Sequence, residues 1–248
     1  MPTRRPRTLV ARLVAAVVLV LLAGCRGGDA DEAPPTTVSL ADLEVAVSAV
    51  AEEQREADAA VADHLAAVRD VDQVLRQVVD EVTVDVGLAA VAEAASALDQ
   101  LDPELTREQL RELAARVDRA RRQLAEVRPT AAPEVRDYLD AEDEVLLAVR
   151  DHAEAGDAIA QLVERHRPGY LAALGTLDAV AERREDLRDP AEAAAAVEVA
   201  LAPHVRPIEL AQGQLEPFRR ERDATGRAVN EAAADATAAF ERLPPSGP

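Results

Sequence analysis

The chain has 248 residues and a formal net charge of −19; hydrophobic residues make up 48% of it and aromatics only 2%, namely Tyr138, Tyr170, Phe218 and Phe240. A charge this negative argues against a nucleic-acid partner, because phosphate binding rests on a positive footprint, and it provides no attraction to anionic membrane surfaces. So few aromatics leave Leu, Val and Ala to build the core, which suits closely packed helices, and the length allows one domain or at most two.

In chain order, Arg4, Arg5, Arg7 and Arg12 precede an unbroken apolar run from Leu13 to Ala23. A helix that spans a bilayer needs ~20 such residues. The run is too short for a permanent span, and with its basic start it reads as a secretory signal peptide. Leu22-Ala23-Gly24-Cys25 then resembles the lipobox of bacterial lipoproteins. That resemblance implies a diacylglyceryl group on the Cys25 sulfur, cleavage just before it, and residues 1–24 as the signal. Thr3-Arg4-Arg5 is similar to the twin-arginine export motif, but Arg7 and Thr8 stand where apolar residues should follow, which favours the general secretory route.

Loss of four Arg and no acid takes the formal charge from −19 to −23. Cys25 is the only cysteine, so once it carries lipid no thiol remains for a disulfide, a metal or a nucleophile. A single acyl chain holds a protein to a membrane only marginally, and two hold it firmly. The resemblance therefore implies a lipid-anchored protein on the extracytoplasmic face of the cell membrane. Every basic residue is Arg and none is Lys, a usage that resembles that of high-GC bacteria.

After Cys25, the stretch RGGDADEAPPTT (residues 26–37) lacks any apolar period and reads as a flexible tether. Residues 38–243 then form helices almost without pause. Ser39 is an expected N-cap, and Leu43, Val47, Val50, Gln54, Ala57, Val61, His64, Val68, Val71, Leu75, Val78 and Val82 alternate steps of four and three, a heptad seam. This helix is expected to run to about Leu98, with a bend near Gly87. Asp102-Pro103 restarts the chain, and Thr106 with Gln109 has capping-box spacing. Leu110, Leu113, Val117, Ala120, Leu124 and Val127 form a second seam, closed by Pro129. The third begins near Pro133 and carries Val135, Leu139, Glu142, Leu146, Val149, Ala153, Gly156, Ala160 and Val163.

Further on, Pro168 is expected to break that helix, with a shorter one from Tyr170 to Leu187. Pro190 starts another, interrupted by Pro203 and Pro207, and Pro217 to Leu243 is the last. Residues 244–248 read as a disordered tail. The expected fold is all-α, with long antiparallel helices packed as a bundle around coiled-coil-like heptad seams. A seam of this kind serves neighbours within a chain or between chains, so the oligomeric state stays open.

Charge is uneven along the chain. Residues 38–100 hold 14 acids against Arg55, Arg69 and Arg76, whereas the second helix carries Arg107, Arg111, Arg116, Arg119, Arg121, Arg122 and Arg128. These two helices are expected to lie side by side and neutralise one another, helped by the i,i+4 spacings of Asp72 with Arg76 and Glu112 with Arg116. A docking face for an acidic partner is the alternative reading of the arginines.

Catalytic signatures are missing from the sequence. None of His64, His152, His166 and His204 has an acid three or four residues away on its own helical face, so no metal or cofactor is expected. Gly-rich phosphate loops, a GxSxG elbow, HExxH and an EF-hand loop are absent. The polar seam residues Gln54, His64 and Glu142 form a candidate buried layer that fixes helix register, binds something small, or meets water where the bundle opens. Burial of such groups costs free energy unless they pair. The expected function is a non-enzymatic scaffold or interaction module with a protein partner in the cell envelope. A helical sensor or solute-binding domain with a pocket between helices is the alternative.

Overall fold

The computed structural model describes residues 40–81, 84–183 and 190–243. The lipobox residues Leu22, Ala23, Gly24 and Cys25, the tether, Ser39, Val82 and the tail lie outside the described residues.

Among the described residues five α-helices, α1 (Leu40–Glu81), α2 (Val84–Gln100), α3 (Pro103–Val127), α4 (Pro133–Glu182) and α5 (Pro190–Glu241), follow one another. Helix accounts for 96% of the described residues, and no strand occurs among them. None of these helices is long and apolar enough to cross a membrane.

The start of α3 shows local sequence deciding a boundary. Pro103 lacks an N–H and has a fixed φ, which suits the first helical position. The residue before it is therefore the cap, and Asp102 Oδ1 accepts from the Leu105 backbone N–H at 2.9 Å. This corrects the expected capping box. Thr106 sits a full turn inside the helix, where its hydroxyl donates back to the Asp102 carbonyl at 3.0 Å. At the far end the chain leaves α3 through a 3-10 turn, Arg128–Thr130, with Pro129 inside it.

The expected breaks are absent, and apolar burial near the prolines offsets their local cost. α4 continues through Pro168, and α5 through Pro203, Pro207 and Pro217. An interior proline costs ~3 kcal/mol, whereas each large apolar side chain that is buried contributes ~1.5–3 kcal/mol. Beyond Pro168 lie the buried Tyr170, Ala173, Leu174 and Leu177. In α5, Leu201 is buried before the first two prolines, and Ile208, Ala211 and Leu215 after them. Arg167 adds a tie by donating to the Asp99 and Leu101 carbonyls at the end of α2, at 2.8 and 3.2 Å. The expected single first helix is described as two, α1 and α2, on either side of residues 82–83, and Gly87 falls inside α2.

The chain divides into two compact units. Among the described residues the first comprises 40–53, 113–150 and 226–243, with Leu43, Val50, Leu113, Val117, Leu139 and Leu146 in its core. Its aromatic contact is Tyr138 edge-on to Phe240, with ring centroids 5.6 Å apart. The second comprises 54–112 and 151–225, built on Val61, Val68, Val71, Leu98, Ile159 and Leu174.

Candidate functional site

A part-buried polar cluster around the buried His152 joins three helices of the second unit. α4 contributes His152 and, one turn later, Gly156; α1 contributes Asp58; α5 contributes Arg222 and Thr225. His152 Nε2 lies 3.0 Å from Asp58 Oδ1, and its Nδ1 lies 2.9 Å from the Thr225 hydroxyl. Arg222 Nη2 donates to the same Asp58 oxygen at 2.9 Å and to the Asp58 backbone carbonyl at 3.3 Å. Thr225 is in turn within 3.0 Å of the Arg222 carbonyl, three residues back on α5.

Arg222 is the costly member. Its side chain is 11% exposed, and burial pushes the guanidinium below its usual range, with Asp58 and then Asp223 acting the other way. Nη1 is buried with no partner in the protein. Gly156 is what lets this group approach α4. A Cβ built there would stand 3.2 Å from Arg222 Nη1, 3.2 Å from Leu110 Cδ2 and 3.3 Å from Val61 Cγ2. Glycine at this position gives up helix propensity, about 1 kcal/mol against Ala, in return for close packing of four helices.

Hydroxyl, imidazole and carboxylate in line is the order of nucleophile, base and orienting group in acyl-transfer sites. The single Thr225 proton, however, has two acceptors. With a neutral imidazole, Nε2–H donates to Asp58 and the hydroxyl donates to Nδ1. With both ring nitrogens protonated, Nδ1–H donates to the hydroxyl, which then donates to the Arg222 carbonyl. Either arrangement satisfies every hydrogen-bonding atom of His152 and Thr225 without moving a heavy atom, which is what a structural crosslink between α1, α4 and α5 requires.

The three polar seam residues have separate surroundings. Gln54 and His64 fall in the second unit and Glu142 in the first. His64 is 2% exposed, donates from Nδ1 to the Ala60 carbonyl at 2.7 Å, and leaves Nε2 buried without a partner. Burial is the main reason its proton affinity is lowered. Gln54 is half-buried; ten residues from His64 on α1, it sits about 15 Å away along the axis. Glu142 is 5% exposed, and burial pushes its carboxyl above the ordinary range, with a hydrogen bond from Tyr138 acting the other way. Tyr138 is itself raised, first by burial and then by the charge of Glu142.

Elsewhere in the second unit, Tyr170 is 1% exposed with an unpartnered hydroxyl, and burial with the nearby Asp72 pushes it up to about 12. Asp72 accepts from Gln212 and from Arg76, the latter at 3.0 Å as expected from the spacing.

The expected pairing of the arginine-rich helix needs correction. Arg116 does reach Glu53 on α1, rather than Glu112. But Arg107 pairs with Asp157 and Glu164, Arg121 with Asp143, and Arg128 with Asp140, all on α4. α4 offers acids at the right heights along α3, which the acid count of the first helix did not reveal.

Among the described residues no group of three or more His, Cys, Asp or Glu is placed to hold a metal ion. No family model, curated protein or solved structure matches this chain. Of the cluster, the sequence points to Gly156 only as a seam residue and to His152 only as a histidine without an acid three or four residues away on its own face. Its real partners come from other helices, and the available signals were Asp58 beside the seam residue Ala57 and an arginine three residues before a threonine on α5.

Proposed function

We propose that this is a lipid-anchored, extracytoplasmic helical protein that acts as a non-enzymatic scaffold or interaction module of the cell envelope. The carrying observation is how the buried polar groups are used. Asp58, His152, Arg222 and Thr225 are spent on one another across three helices, so they fix register rather than face a substrate.

The finer arrangement we propose is antiparallel helices packed along heptad seams. The order of partners within each unit supports it. In the second unit, His152, His166 and Thr176 on α4 meet Thr225, Gln214 and His204 on α5 in descending order. In the first, Arg121 on α3 and Arg128 in the 3-10 turn that follows it meet Asp143 and Asp140 on α4, again in descending order. Burial of Val50, Ala57, Val61, Val68, Val71 and Leu75 on α1 supports the seam.

Membrane attachment rests on the lipobox, with Cys25 carrying the lipid. Crosslinking in intact cells tests the scaffold reading: one recurrent protein partner is expected, and recovery of the chain alone would count against it. A solute-binding domain is the second reading, favoured by two buried atoms with no protein partner, His64 Nε2 and Arg222 Nη1.

A further inference from the structure

The outward face of α5 in the second unit is unlike the rest of this charged chain. Val199, Pro203, Arg206, Leu210, Gly213 and Pro217 follow one another at steps of four, three, four, three and four. That spacing keeps them on one stripe of the helix, and all six are exposed. Val199 is 74% exposed and Leu210 59%. The opposite side of the same helix is the one that packs inward, through Val197, Leu201, Ile208 and Leu215. Thus α5 carries a second stripe, apolar at Val199, Pro203, Leu210 and Pro217 with Arg206 at its middle, that is uncovered among the described residues.

Two further features say what would cover the other. Glu209 and Glu216 stand immediately before Leu210 and Pro217, at the flanking positions that set partner choice between paired helices, with Glu198 on the same side. Neither Glu198 nor Glu209 has an ion-pair partner among the described residues, and Glu216 has only the exposed i,i+4 pair with Arg220. The prolines add bare acceptors. Because Pro203, Pro207 and Pro217 have no N–H, the carbonyls of Val199, Pro203 and Gly213 lose their helical donor, and all three lie on the outward stripe. At Gly213 an added Cβ would meet nothing within 4 Å, so an incoming side chain can approach the backbone there.

We infer that this stripe docks an amphipathic helix from another protein, with aliphatic residues along its contact face and Arg or Lys beside them. The aliphatic side chains cover Val199 and Leu210 and pack against the bare backbone at Gly213. The cations meet Glu209 and Glu216 and donate to the bare carbonyls. An anionic lipid surface has the wrong sign for this edge. The inference names the partner chemistry of the interaction module proposed above and rests on that reading, but its assay needs neither the anchor nor the envelope, so the two fail separately.

The test is titration of the full chain with two labelled helical peptides, each about four heptads long. Both carry Leu on the contact face; one has Lys and the other Glu at the flanking positions. The Lys peptide should bind and weaken as salt rises, and the Glu peptide should not. Leu210→Asp should weaken the Lys peptide by about tenfold or more, equivalent to about 1.4 kcal/mol, while Val45→Asp in the first unit leaves it unchanged. Combined Glu198→Lys, Glu209→Lys and Glu216→Lys should reverse the preference to the Glu peptide, a gain that a misfolded variant cannot give. Equal binding of both peptides, binding indifferent to Leu210→Asp, no binding at all, or self-association of the chain through Leu210 would overturn the inference.

Discussion

Replacing Glu142 by Gln should make the protein more stable at neutral pH and leave it nearly unchanged in acid. The carboxyl is buried in the first unit against Tyr138, and burial raises its folded-state pKa above the unfolded value. As pH rises past the unfolded carboxylate range, the unfolded chain releases this proton while the folded chain still holds it. The unfolded state then binds fewer protons, so stability falls with rising pH until the folded-state pKa is passed and stays lower beyond it. Each tenfold difference in proton affinity is worth about 1.4 kcal/mol. Gln keeps the shape and can still accept from the Tyr138 hydroxyl, but it does not titrate. For a domain of this size 1 kcal/mol corresponds to about 2–4 °C in Tm.

The assay is thermal unfolding of both proteins from pH 4 to 8, read as the difference between them. Subtraction matters because His64 has an opposing dependence: its folded-state pKa is lowered by burial, so it costs stability as pH falls below its unfolded value, equally in both proteins. The expected difference is near zero at the acid end and grows in favour of Glu142→Gln toward neutral pH. A difference that is flat with pH, or a variant that is less stable at pH 7, would refute the burial argument for this carboxyl.

Other outcomes follow from named contacts. Asp58→Asn leaves Arg222 and His152 without their shared anion and should cost about 2 kcal/mol in denaturant unfolding, below the ~3–5 kcal/mol of a fully buried pair because Asp58 is 36% exposed. Thr225→Val strands His152 Nδ1 and should cost about 1–2 kcal/mol, with a change in the His152 imidazole nitrogen shifts by NMR. Gly156→Ala presses a Cβ against side-chain atoms of Arg222, Leu110 and Val61 and should destabilise by about 1 kcal/mol net, overpacking outweighing the gain in helix propensity. Gly175→Ala, where nothing lies within 4 Å, should instead stabilise by about 0.5–1 kcal/mol. Asp102→Ala removes the α3 cap and should cost ~1 kcal/mol.

The helical class was legible in the residues because Leu, Val and Ala recur at helical spacing. Of the second-seam residues, Leu110, Leu113, Val117, Ala120 and Leu124 are all buried. Boundaries were less legible where one local rule outweighed another. Thr106 and Gln109 have capping-box spacing, but Pro103 fixes the start earlier and hands the cap to Asp102. The interior prolines misled for a different reason: their cost is local, whereas the burial that offsets it, around Tyr170 and Leu215, comes from other helices. The same limit hid the polar cluster. His152 has no acid three or four residues away on its own helical face, and only packing brings Asp58 from α1 and Arg222 from α5 to it.

The central claim, a protein held to the membrane from outside, is tested most directly by the mass of its amino-terminal peptide in protein isolated from host membranes. The account predicts that this peptide begins at Cys25 and carries a diacylglyceryl group, and that Cys25→Ala leaves the uncleaved chain without lipid. A chain that retains Leu22-Ala23-Gly24 ahead of an unmodified Cys25, or a Cys25→Ala variant that is processed and retained like the original, would contradict it.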